Sequence, residues 1–156
     1  MEIKRAAAIY FSPTGGTRRI ASRLAAGVYP GAEEMDVTVR AVPGGFSAED
    51  FAVIAAPVFG GRVPAEALKR LGEISGGGAA AAVVAVYGNR AYEDALLELA
   101  DAAAARGFRV TAAGAFIARH SIVPEIASGR PDAADFAAVD AFAAAIREKL
   151  SSAASA

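Results

Sequence analysis

The sequence predicts an α/β domain, a three-layer sandwich in which a five-stranded parallel sheet in the order 2-1-3-4-5 carries helices on both faces. Three observations predict it. Strand-like segments alternate with segments of helical spacing along the chain, the pattern of strand–helix–strand units and hence of a parallel sheet. Three of the strand-like segments are continuous apolar runs, as strands covered on both faces must be. The other two alternate apolar and polar residues and fit partly exposed edges.

The first strand is read over residues 3–11, with "AAAIYF" at its centre. After the join "SPTGGT", residues 12–17, the four-residue recurrence of Ile20, Leu24 and Val28 marks a helix. Residues 34–42, "EMDVTVR" and its continuation, alternate and give the second strand. "FAVIAAPVF" places the third strand at 51–58, and Leu68 and Leu71 follow Pro64 at a helix start. "AAAAVVAVY" gives the fourth strand at 79–87, and Tyr92, Leu96 and Leu99 line one face of the next helix. The fifth strand, 108–117, holds the alternating "FRVTAAG". "GRPD" turns the chain into a last helix with Pro131 in its first turn, Asp132 near its positive end, and Phe136, Val139, Phe142, Ile146 and Leu150 on one face. The linkers "VPGGFSAED" and "GEISGGG" are short; residues 1–150 form one domain and "SSAASA", 151–156, is expected to be a frayed tail. With the alternating strands at the edges and right-handed crossovers, 2-1-3-4-5 is the simplest order, and it opens a ligand crevice above strands one and three.

Composition narrows the chemistry. The 156 residues are 54% hydrophobic, ample for one core. No apolar run reaches a membrane span and "MEIKR" does not begin a signal peptide, so a cytoplasmic protein is expected. The absence of cysteine removes disulfides, thiolate nucleophiles and cysteine-bound metals, and one histidine cannot build a multi-histidine metal site. No metal ligand is assigned, and redox chemistry would need an organic cofactor. A net charge of −1 lacks the basic excess of a nucleic-acid binder.

"SPTGGT" sits at the C-terminal end of the first strand, beside the crevice. It offers the hydroxyls of Ser12, Thr14 and Thr17 and amides freed by Gly15 and Gly16 at a helix N-terminus, which are the requirements of a phosphate site. The alternative is a turn with Thr17 as N-cap. No GxxxxGK[ST] or GxGxxG is present, and no lysine lies in the loop. "YFSPTGGTRRIA" resembles the flavodoxin family, whose loop [ST]-x-T-G-x-T binds the phosphate of FMN. The resemblance implies an FMN cofactor and makes Ser12, Pro13, Thr14, Gly15, Gly16 and Thr17 its phosphate contacts.

Two further loops agree with that resemblance. "APVFGGRVP", 56–64, is similar to the family's first flavin-flanking loop, which implies cofactor contacts from Pro57, Val58, Phe59, Gly60 and Gly61, with Phe59 against the ring. Otherwise Phe59 is a core residue beside a plain turn. "VYGNRAYEDAL", 86–96, looks like the second flavin loop, implying contacts from Tyr87, Gly88, Asn89 and Arg90 and a stacking Tyr92. Otherwise Tyr92 is the first core residue of its helix. "GAFIARHSIVPEIASGRPD" looks like the end of the flavodoxin-like domains that precede ferredoxin domains in some prokaryotic proteins, and no such domain follows in the sequence. The electron partner is therefore expected to be a separate molecule.

The chain departs from the family in charge. Arg62, Arg90 and, further on, Arg119 and His120 fall on loops at the crevice end, where flavodoxins are usually acidic. Positive charge favours the anion formed when flavin is fully reduced, so a less reducing flavin is expected; solvated arginines and a capping or packing His120 are the alternatives. The leading expectation is an electron carrier, with no catalytic residue of its own, that shuttles electrons between a reductase or ferredoxin-type donor and an acceptor. It would be a monomer or weak homodimer. An FMN-dependent two-electron oxidoreductase acting on a quinone or other small acceptor is the second reading. The third is a signalling or interaction module without flavin, although "AAPVFGG" lacks the aspartate a response regulator carries at the end of the third strand.

Overall fold

A computed structural model describes residues 2–88, 93–117 and 131–155. The chain runs β1 (Arg5–Tyr10), α1 (Gly16–Val28), β2 (Glu33–Asp36), β3 (Gly44–Gly45), β4 (Asp50–Pro57), α2 (Ala65–Leu71), β5 (Ile74–Ser75), β6 (Ala80–Tyr87), α3 (Glu93–Ala105), β7 (Arg109–Ile117) and α4 (Ala133–Ser155). Five strands form one parallel sheet in the order β2-β1-β4-β6-β7. Counting only these strands, this is the expected 2-1-3-4-5 order, with the alternating segments at the two edges.

Residue size and alternation set the layers. Met35, Ile9, Ile54 and Val83 stand in register across the sheet. They face a cluster that includes Ala67 and Leu71 of α2 and Ala95, Leu99 and Ala103 of α3. The residues between them in sequence, among them Ala8, Val53 and Ala82, face Ile20 and Leu24 of α1 and Val139, Ala143, Ile146 and Leu150 of α4. Ile20 and Leu24 are fully buried, and each contributes about 1.5–3 kcal/mol of apolar burial. Where α1 meets α4, a Cβ on Gly27 would lie 2.9 Å from the Cβ of Ala143, so this close approach depends on glycine.

Four expectations change. The second strand was expected over 34–42, but β2 ends at Asp36, because the Asp36 side chain accepts the Thr38 amide at 2.9 Å and turns the backbone out of the ladder. The two linkers each contain a two-residue strand, β3 and β5, which pair with one another. Pro131 precedes the last helix instead of entering its first turn. Asp132 and Asp135 cap that helix reciprocally, each carboxylate accepting the other's amide, at 3.0 and 2.9 Å. Finally, α4 runs to Ser155, so residues 151–155 continue the helix where a frayed tail was expected; alanine and serine there do not oppose it.

The N-terminal end of the sheet is closed by main chain. Gly76 and Gly78 donate to the carbonyls of Arg106 and Gly107 at 2.7 and 2.8 Å, and Phe46 donates to Ser75 at 3.0 Å. The Phe46 and Phe108 rings meet there, 5.5 Å between centroids. The opposite end is built of loops.

Candidate cofactor site

The loop after β1 is shaped by the residues that the sequence singles out. Gly15, at φ 92, takes the left-handed conformation that glycine adopts without strain and is the N-cap of α1. It provides no side-chain cap, so the first-turn amides of Gly16 and Thr17 are left for water or a ligand. Ser12 Oγ accepts the Arg18 amide at 2.9 Å. The Ser12 amide donates to Thr38 Oγ1 at 2.8 Å. Thr38 is itself held because the Arg70 guanidinium donates to its carbonyl and, at 3.0 Å, to that of Val37. Pro13 and Thr14 are exposed, Ser12, Gly15 and Gly16 half-buried, and Thr17 buried. No side chain therefore caps the helix from Gly15, and Thr17 is not its N-cap. This donor set fits a phosphate group: hydroxyls, first-turn amides at the positive end of a helix, and open space within 4 Å of where a Gly15 Cβ would sit.

Beside this loop lies a polar knot that joins the buried Tyr10 to the exposed Glu34 and Arg18. Glu34 Oε1 accepts from Tyr10 Oη at 3.0 Å, Ser22 Oγ at 2.7 Å and Arg18 Nε at 3.4 Å. The Ser22 hydroxyl bond, with those from Tyr10 and Arg18, holds the Glu34 carboxyl below the ordinary glutamate value. Burial first, then the Glu34 carboxylate, pushes the Tyr10 phenol up to about 12. The knot fixes the end of β1 from which the loop departs.

The loop after β4 makes a tight hairpin turn. Phe59 and Arg62 exchange backbone hydrogen bonds of 2.8 and 3.0 Å around Gly60 and Gly61, at φ 58 and 81, as a type I′ turn requires of both central residues. Val58 donates to Val86 of β6 at 3.0 Å. Pro57 and Val58 are buried, Phe59 is half-buried, and Gly60 is exposed. Arg62 is exposed and ion-paired. Its guanidinium donates from Nε, at 3.0 Å, and from Nη2 to Glu98 Oε2, while the Val63 amide donates to Glu98 Oε1 at 2.9 Å. The Arg62 contact, reinforced by the Val63 amide, keeps the Glu98 carboxyl below its ordinary value.

Tyr87 ends β6 half-buried against the α2/α3 core and Gly88 is buried. Asn89, Arg90 and Tyr92, with Arg119 and His120, lie outside the described residues. The two described loops, after β1 and β4, rise from adjacent strands at the same end of the sheet. Sequence reasoning missed Thr38, Arg70 and Glu98. Its one available signal was the i, i+4 acidic pair Asp94 and Glu98 on a helix neighbouring an arginine-bearing loop.

A parallel sheet in this order, with a hydroxyl-rich loop beside its switch point, is the flavodoxin-like fold. Solved structures agree. A Streptococcus pneumoniae flavodoxin is 19% identical, with a TM-score of 0.61 over 94% of this chain and 97% of its own. Bacillus cereus flavodoxin 2 is 18% identical, with a TM-score of 0.65 over 93% and 99%. An NADH:FMN oxidoreductase in its apo form is 15% identical, with a TM-score of 0.64 over 92% and 88%. Neither a protein-family model nor a curated protein sequence matches the chain.

Proposed function

We propose that the protein binds FMN in the crevice above β1 and β4 and carries electrons between a separate reductase or ferredoxin-type donor and an acceptor protein in the cytoplasm. The observation that carries the reading is the donor set of the 12–17 loop on a flavodoxin-like sheet. Ser12, Thr14 and the first-turn amides of α1 would hold the phosphate, and Phe59, on its glycine turn, would flank the ring. When bound, FMN supplies reversible storage of one or two electrons; the chain orients it and sets its surroundings.

Titrating the flavin-free protein with FMN tests this: quenching of flavin fluorescence with saturation is expected, and weaker binding in Thr14→Ala. Unquenched fluorescence at high protein concentration would overturn the proposal and favour an interaction module. The likeness to an NADH:FMN oxidoreductase favours a second reading, two-electron transfer to a small acceptor. Stepwise reduction separates the two: a one-electron-reduced spectrum marks the carrier, and NADH turnover without it marks the oxidoreductase.

A further inference from the structure

The 58–63 turn is internally rigid, since Phe59 and Arg62 bond to one another across two glycines. Its orientation therefore depends on its two ends. The first end is fixed main chain to main chain, Val58 to Val86. At the second end the anchor is a side chain from another element: Glu98 of α3 takes the Val63 amide on one oxygen and the Arg62 guanidinium on the other. Side-chain exposure is 19% for Glu98 and 69% for Arg62, so the carboxylate is the sheltered partner and the arginine is held by it.

We infer that Glu98 is a positioning residue for the cofactor crevice: one carboxylate ties the Phe59-bearing turn to α3 and fixes where the Arg62 charge points. The inference rests on the FMN reading. Its electrostatic consequence has a definite sign. A positive charge released toward a flavin that becomes anionic on reduction favours the reduced form, whereas a carboxylate left without its arginine disfavours it. The lowered Glu98 pKa is consistent with a tether that stays intact through neutral pH.

Three variants separate the two halves of the tether. Glu98→Ala removes both contacts, Glu98→Gln keeps an oxygen for Val63 and loses the charge pair, and Arg62→Ala keeps the Val63 contact and leaves the carboxylate unpaired. In the flavin-free protein, the Val63 amide should exchange about tenfold faster in Glu98→Ala, the loss of one hydrogen bond to a charged group, and remain protected in Arg62→Ala. With FMN bound, the midpoint potential should rise in Glu98→Gln and fall in Arg62→Ala. The FMN dissociation constant should increase about tenfold in Glu98→Ala. Unchanged Val63 exchange in a folded Glu98→Ala variant would overturn the tether whether or not flavin binds. Lost protection with unaltered affinity and potential would overturn its role at the cofactor. Failure of the unsubstituted protein to bind FMN would overturn the functional reading and this role with it, while the exchange data would still judge the tether.

Discussion

Gly60 and Gly77 have nearly the same backbone, φ 58 and 56, and sit at opposite ends of the sheet. A Cβ on Gly60 would meet nothing within 4 Å; one on Gly77 would lie 1.9 Å from the Phe46 carbonyl oxygen. The difference extends to the ends themselves. At the Gly77 end, main chain packs on main chain so closely that this position has no room for a Cβ, and the Phe46 and Phe108 rings and the Arg106 and Arg109 side chains pack around it. At the Gly60 end, loops are held by exchangeable side chains: Thr38 on Ser12, Arg70 on Thr38, Glu98 on Val63. One end anchors the fold, and the other can alter its chemistry while the core stays in place.

Alanine at each of the two glycines should separate the two ends most clearly. Gly77→Ala combines a backbone clash with a left-handed conformation and should cost about 3 kcal/mol or more, read from urea unfolding. Gly60→Ala should cost only the conformational strain, about 1–2 kcal/mol. Equal losses would erase the distinction between the ends.

A smaller effect tests the knot beside the site loop. A phenol whose folded pKa is raised stabilises the fold below its unfolded value of 10.0 and loses that contribution as pH rises toward about 12. Between pH 8 and pH 11 the protein should therefore lose about 1 kcal/mol relative to Tyr10→Phe, measured by paired denaturation curves. Thr38→Val leaves the Ser12 amide without its side-chain acceptor and should cost about 1 kcal/mol or less. In calorimetry that loss should be accompanied by weaker binding of FMN. Smallest is the acid limb. Glu34 and Glu98 both have lowered pKa values, so their contributions are complete above the ordinary value of 4.5 and fade as pH falls through the lowered ones. Because both sites are partly solvated, the slope should be shallow, and Glu98→Gln should flatten it further.

The same contrast explains what the sequence made legible. Continuous apolar runs identified β1, β4 and β6 because a strand buried on both faces has no polar position to spare, and alternation identified the edges. The length of the second strand was not legible: "EMDVTVR" keeps its alternation past the point where the Asp36 side chain ends the ladder. β3 and β5 have two residues each, too few for any period to register. In the site, the hydroxyls and glycines of 12–17 announced themselves because their chemistry is local. Thr38, Arg70 and Glu98 act across 26, 32 and 35 residues of chain, and beyond the acidic pair Asp94 and Glu98 nothing near them in sequence signals their partners. Arg62 shows the same limit: its position on a loop was visible, and the Glu98 carboxylate that pairs with it was not.

β2 has a further consequence, for behaviour in a crowded solution. A sheet edge offers unpaired main-chain groups to any other strand that can align with it. This edge is four residues long, so a second copy approaching along it would find few hydrogen bonds to gain. The strand that limits the sheet on this side is thus a short and poor template for a second strand.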